Sequence, residues 1–367
     1  MDSHDDPALT FDLEGVCHHC TRYDFNVAKY YHGGDPRLKA FHDLIKQVKK
    51  RGEDCQYDAV IGLSGGVDST FVAYLCWKYG LRVLAVHLDN GWNSEISVLN
   101  IKNILKTTGF DLFTYVINWN EFRDLQRSYF KAHVVDIEAL TDHAIITILI
   151  KTAKRYGIKT ILTGISITTE GRLPNHWVYN KWDYLNIKSI HARFGKVRIK
   201  SFPHLSIWES FFGPSMKGMN SINMLDYYPY DKAVAKEIIK KDFGWEDYGG
   251  KHYESIFTRF YQGYILPRKF GIDKRKSHYS TLICAGQLKR EEALLLLKDS
   301  PYPNQTLMSD DYEFVKKKLQ FSDEEFEHYM NSPRIEHTAY MSVERIYDLF
   351  RPLYRFVKYR ILWWKQP

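Results

Sequence analysis

The feature that most constrains this chain is a six-residue turn, Ser64-Gly65-Gly66-Val67-Asp68-Ser69. It follows the apolar run Tyr57–Leu63 (YDAVIGL), and Thr70–Lys78 after it has helical character. The run is too short for a buried helix and reads as a strand. Two adjacent glycines let the main chain bend tightly and turn its N–H groups inward. The helix start adds partial positive charge, and Ser64 and Ser69 offer hydroxyl donors. A strand, a serine–glycine bend and a helix together form a cradle for a pyrophosphate. The bend lacks the lysine of a Walker A loop and the spacing of a G-x-G-x-x-G turn.

The same alternation continues. Leu81–Leu88, Asp111–Ile117 and Lys159–Leu162 read as strands. Ser94–Thr108, Trp119–Phe130 and Asp142–Tyr156 read as helices, and Pro36–Arg51 as an earlier helix. Strands alternating with helices imply an α/β, doubly wound, mainly parallel sheet. Ligands then sit beyond the carboxyl ends of strands one, two and four. After about residue 172 the alternation fades into mostly helical sequence with interleaved aromatic and basic residues. The expected organisation is an N-terminal C-x-x-C segment and helix (1–50), a nucleotide domain (51–190), a mostly helical substrate or partner region (191–345) and a basic aromatic tail (346–367).

Composition excludes several classes. The chain has 367 residues with a net charge of +7, too weak to single out nucleic acid. No run approaches a transmembrane span, and the acidic start MDSHDDPALT does not resemble a signal peptide. Five cysteines make no disulfide framework. A cytoplasmic enzyme is the expectation, with the tail (Arg351, Arg355, Lys358 and Arg360 among aromatics) either lying against the inner membrane, binding a partner or packing on the domain.

SGGVDS in this setting resembles the N-type ATP pyrophosphatases, the PP-loop superfamily. The resemblance implies an adenine nucleotide alpha hydrolase-like fold and cleavage of ATP between its α and β phosphates. Ser64, Gly65, Gly66, Val67, Asp68 and Ser69 would then bind the pyrophosphate. Asp89, with Gly91 after strand two, resembles the adenosine-side loop. Gly164 after strand four would allow close approach to the nucleotide. Asp68 and Glu170 are the candidate Mg²⁺ ligands; the plain alternative is that Asp89 and Glu170 cap turns.

Further segments narrow the resemblance: DLEGVCHHC (12–20), Thr141-Asp142-His143-Ala144, Gly249-Gly250-Lys251-His252-Tyr253-Glu254-Ser255, Leu266–Arg275, Leu282–Gln287 and Arg290–Ala293. Together they resemble the N-acetyl sugar amidotransferases of lipopolysaccharide O-antigen and pseudaminic- or legionaminic-type sugar biosynthesis. The resemblance implies adenylylation of an acetamido oxygen on a nucleotide sugar, then displacement of AMP by ammonia to give an acetamidino group. Asp68, Ser69, Lys274 and Arg275 are the candidate catalytic residues. Lys274 and Arg275 belong to a basic cluster with Arg268, Lys269 and Lys276 that suits phosphate. His252 and Glu254 are further acid–base candidates.

No cysteine sits on a Gly-flanked elbow, and position 2 is Asp, so a built-in glutaminase is not expected. The resemblance implies ammonia from partner subunits, a glutaminase and a cyclase-like barrel. Cys17 and Cys20 form one C-x-x-C, half of a Zn²⁺ site. Family members carry another pair upstream of the stretch matching Met1, so the chain is expected to start at an internal methionine, with Cys284 or a nearby His as substitute ligand. Two free thiols are an equal alternative. The competing functional reading is a tRNA-modifying PP-loop enzyme, drawn from the charge, the C-x-x-C and the aromatic, basic C-terminal half. A nucleotide-binding scaffold without turnover is a third.

Overall fold

A computed structural model describes residues 1–30, 35–171, 173–206, 209, 219–250, 253–346 and 348–349. Five parallel strands form one sheet in the order β3-β2-β1-β4-β5: β1 (Ala59–Gly62), β2 (Val83–Asp89), β3 (Asp111–Val116), β4 (Thr160–Thr163) and β5 (Asn220–Asn223). The order reverses between β1 and β4. Side chains diverge at such a switch point and leave a crevice above the carboxyl ends.

Helices cover both faces. On one face α2 (Asp35–Arg51), α3 (Val67–Lys78) and α4 (Glu95–Thr108) bury Phe41, Phe71 and Ile104 against Ile61 and Ala85. On the other, α5 (Trp119–Lys131) and α6 (Ala139–Arg155) bury Phe122, Phe130 and Ile148 against Val60 and Leu84. Each such side chain contributes about 2 kcal/mol by leaving water. Burial on both faces explains why β1 and β2 read as continuous apolar runs. At the edge, β3 alternates, with Leu112 and Val116 exposed.

Three features depart from the sequence reading. β5, Asn-Ser-Ile-Asn, has no strand signature; it forms because Asn220–Asn223 pair in register with Thr160–Thr163. The sheet therefore runs past residue 190, and the helix Lys232–Phe243 buries Ala235, Ile239 and Phe243 in the same core as Phe71. The first fifty residues hold a helix, α1 (His18–Tyr30), that starts inside the C-x-x-C. Tyr253–Tyr264 reads as one helix in the sequence, and the structure has Ile256–Phe260 there, continued by a π turn, Tyr261–Ile265, into Leu266–Phe270. The tail from 350 onward lies outside the described residues, as do Tyr347 and His252.

Candidate functional site

The serine–glycine bend joins β1 to α3 at the switch point. Gly65 has φ +79°, and a Cβ there would sit 2.4 Å from the Ser97 carbonyl oxygen, so only glycine fits. The bend is closed by its own serines. Ser64 Oγ lies 3.1 Å from Ser69 Oγ and accepts from the Gly66 N–H at 3.2 Å. Ser69 Oγ donates to the Gly66 carbonyl at 3.1 Å. From outside, Trp245 Nε1 donates to the Gly65 carbonyl at 2.9 Å, and Asn100 Nδ2 reaches it at 3.4 Å. The Val67 N–H at the first position of α3 donates to the Tyr248 hydroxyl at 3.1 Å.

Asp68 points into the crevice. It accepts a hydrogen bond from the Tyr230 hydroxyl and lies 3.6 Å from Lys232 Nζ. Burial first, and then the Asp68 charge, push the Tyr230 phenol far above its ordinary range, so it stays a donor. Gly164 follows β4, and a Cβ on it would lie 3.0 Å from the Asp68 carbonyl carbon. Its bare backbone lets the two loops of the switch point press together; the close approach is to the start of α3. Glu170 ends α7 (Ile167–Glu170), the short helix of that second loop. The buried Asp226 accepts from the Ile167 N–H at 2.8 Å and holds the start of α7. Asp89 folds back to accept from the Gly91 N–H at 3.0 Å, and Lys318 donates to the Gly91 carbonyl. In this structure Asp89 thus shapes its own turn.

The basic cluster separates. Arg275 grips Asp273 (Nη2–Oδ2 2.8 Å) and the Asp299 carbonyl at 3.0 Å. Lys269 donates to the carbonyls of Tyr329 and Ser332, Lys276 pairs with Asp5 at 2.7 Å, and Arg268 stacks on Tyr264. These four brace helices in this structure: their charged heads are taken up by carboxylates, carbonyls or a ring, and they do not converge on one point. Lys274 differs. Among the described residues its ammonium makes no hydrogen bond or ion pair; it lies 5.6 Å from the Tyr261 ring centre and faces Asp136 and Glu138.

The donor set at the bend fits a nucleotide with its divalent cation. It offers helix-start N–H groups, two hydroxyls and the Asp68 carboxylate, beside the loop that carries Glu170. The zinc expectation meets a mixed setting. Cys17 Sγ is 3.2 Å from Cys20 Sγ, closer than the about 3.8 Å that two thiolates keep on one tetrahedral zinc. The metal-type trio with ligand atoms within 4.8 Å of one another is Asp6, His18 and His19, and includes neither thiol nor Cys284. His19 is buried and spends Nε2 on Asp6 at 2.6 Å. Cys76 is a buried packing residue.

Sequence reasoning missed Trp245, Tyr248 and Asn100 and noted Tyr230 only as part of an aromatic stretch. Their contacts to the bend cross up to 181 residues, which no local pattern records.

Parts of the chain are similar to known proteins. A family model described as NAD synthase matches residues 38–140, and one described as LPS biosynthesis protein WbpG-like, C-terminal domain, matches residues 254–354. The glutamine-hydrolysing GMP synthase of Pyrobaculum aerophilum is 36% identical over 70 residues, 19% of this chain; the chain thus spans 14% of that protein. NMN synthetase from Francisella tularensis aligns over 78% of this chain and 97% of its own, at 15% identity and a TM-score of 0.37. The NH3-dependent NAD synthetase from Campylobacter jejuni, solved with nitrate, aligns over 82% and 98%, at 12% identity and a TM-score of 0.34.

The parallel sheet, the serine–glycine bend at its switch point and the NAD synthase match over residues 38–140 are similar to those of PP-loop proteins. More particularly, a segment similar to NAD synthase is followed in this chain by one similar to the C-terminal domain of WbpG-like LPS biosynthesis proteins.

Proposed function

We propose that the chain is an ATP-dependent ligase that makes a C–N bond, and that its acceptor is the acetamido group of an N-acetylated nucleotide sugar in O-antigen or related surface-sugar biosynthesis. The observation that carries the reading is the bend's position: its N–H groups, two serine hydroxyls and Asp68 meet at the switch point, one loop away from Glu170. The WbpG-like match supports the lipopolysaccharide setting.

An amide oxygen is a poor leaving group until it is esterified. The bend's N–H groups and serines receive the β and γ phosphates, offsetting the charge that grows on pyrophosphate as it leaves. Asp68 and Glu170 would hold Mg²⁺, which when bound neutralises phosphate oxygens. Tyr230 and Lys232 fix the Asp68 carboxylate. Tyr248 must yield the Val67 N–H when a phosphate oxygen takes it. The attacking amide oxygen is then held in line with the α phosphorus, chiefly a matter of positioning.

Ammonia is proposed to come from a glutaminase partner and a cyclase-like subunit. A cytoplasmic location is proposed; no helix of the described residues is long and apolar enough to cross a membrane. The tRNA-modifying alternative draws support from neither matched family.

The test is mass spectrometry of candidate UDP-sugars incubated with ATP, Mg²⁺ and ammonium. The expected result is AMP, pyrophosphate and a sugar in which NH has replaced O. Release of ADP and orthophosphate overturns the reading.

A further inference from the structure

Tyr248 lies in neither matched segment, 38–140 or 254–354, yet it touches the centre of the bend. It belongs to the stretch that follows the helix Lys232–Phe243 and turns at Gly244. Side chains pin that stretch against the bend. Asn100 Nδ2 donates to the Glu246 carbonyl at 2.9 Å, and Asn100 Oδ1 accepts from the Glu246 N–H at 2.8 Å. Trp245 Nε1 donates to the Gly65 carbonyl, and the Tyr248 ring meets the Trp245 ring edge to face, 5.5 Å between centres. Gly65 and Val67 are thus held by two rings of one loop that lean on each other.

The two phenols of the crevice use their hydroxyls differently. The Tyr230 hydroxyl is spent on Asp68. The Tyr248 oxygen accepts from the Val67 N–H at 3.1 Å, and among the described residues its own proton has no hydrogen-bond acceptor. Burial first, and then the charges of Glu254 and Asp68, push the Tyr248 phenol far above its ordinary range, so that proton stays. Glu254 reaches the bend from the loop after β2, where its carbonyl accepts from the Ser94 N–H at 2.9 Å; its Oε1 lies 3.0 Å from where a Cβ on Gly66 would sit. The Val67 N–H is one of those at a helix start with no partner inside the helix, the kind of donor that phosphates take. An oxygen already seated on it marks the place of a phosphate oxygen.

We propose that Tyr248 is a phosphate ligand that exchanges one hydrogen bond for another when nucleotide arrives: the Val67 N–H passes to a β- or γ-phosphate oxygen, and the Tyr248 hydroxyl donates to that same phosphate group. The proposal rests on the ligase reading above and adds to it a binding residue from outside the bend. The ring has little room to swing, because Trp245 backs it and Glu246 is anchored, so the hydroxyl stays within reach of the anion that displaces it. A phenol suits this place. An ammonium would be drawn to the neighbouring Glu254 and Asp68 carboxylates, and a further carboxylate would repel the phosphate. A neutral O–H donates without either effect. Its bond to pyrophosphate strengthens as charge grows on that leaving group, so the residue serves the departure as well as the binding.

The experiment uses the full chain with Mg²⁺ and measures displacement of labelled ATP by pyrophosphate and by AMP. Tyr248→Phe keeps the ring against Trp245 and deletes only the hydroxyl. Pyrophosphate is expected to bind this variant about 10-fold or more weakly, the loss of one hydrogen bond to a charged group, with AMP affinity within about 2-fold of the parent. The proposal is overturned if the variant holds pyrophosphate as well as the parent or better, which makes the hydroxyl a mere stand-in for the anion. It is also overturned if pyrophosphate and AMP weaken alike, which makes Tyr248 a structural support. A wild-type chain from which pyrophosphate or AMP fails to displace ATP overturns the ligase reading itself, and this proposal with it, a result read before any variant is made.

Discussion

The two ends of the crevice are built differently. On the bend side the binding groups are consecutive: six residues fold on themselves through Ser64, Gly66 and Ser69. On the C-terminal side they come from several segments. Tyr230 follows β5, Trp245 and Tyr248 share one loop, and His278 lies on the helix Lys274–Cys284 with Nδ1 3.1 Å from the Thr169 carbonyl. A consecutive motif fixes the part of the chemistry that is common to many acceptors. Scattered residues fit the part that must differ from one acceptor to the next, since each can change without disturbing the loop.

The largest effect is expected at Asp68. Asp68→Asn is expected to cut AMP formation by about 1,000-fold with the fold intact by circular dichroism, since it removes a carboxylate proposed to hold Mg²⁺ against the phosphates. Retained activity places the chemistry elsewhere. Next comes acid. Burial, against a hydrogen bond to the Lys181 carbonyl, pushes His143 down to about 4 from an ordinary 6.5, so the folded chain keeps it neutral. The unfolded chain gains this proton first, and stability is lost as pH falls from about 6.5 towards 4, by about 3 kcal/mol for this one group. Urea midpoints measured across that window in wild type and His143→Gln check it: the variant should show a flatter loss.

Arg275→Ala sharpens the contrast between bracing and binding. It removes contacts to Asp273 and the Asp299 carbonyl and should lower stability by about 1–3 kcal/mol in chemical denaturation. The ATP KM of the folded fraction should stay unchanged; a raised KM at unchanged stability places Arg275 in the binding set. The smallest effect is expected at Trp245→Phe, which deletes one donor to the Gly65 carbonyl and should cost about 1 kcal/mol. Its signature is a raised ATP KM with kcat nearly intact.

What was legible in the sequence follows the same division. β1, β2 and β4 were visible because strands buried on both faces must be apolar, and the bend because its residues are adjacent. β5 was not, because Asn-Ser-Ile-Asn is made a strand by its partner Thr160–Thr163. Arg275 looked like a phosphate ligand because a run of positive charge carries no record of where each head group ends; Asp273 and the Asp299 carbonyl claim this one. Lys274, from the same run, escapes such capture. Tyr230 reaches Asp68 across 162 residues and Trp245 reaches Gly65 across 180, distances at which only the folded chain carries the information.

The indole of Trp245 and the amide of Asn100 pin the oxygen of the Gly65 peptide outward. A glycine-flanked peptide plane can otherwise rotate, and a half-turn would swap the inward N–H for an inward oxygen. That swap would convert a receptor for anions into one for cations. The two distant side chains therefore act as a latch on the polarity of the pocket, one a steric model of the bend alone would not reveal.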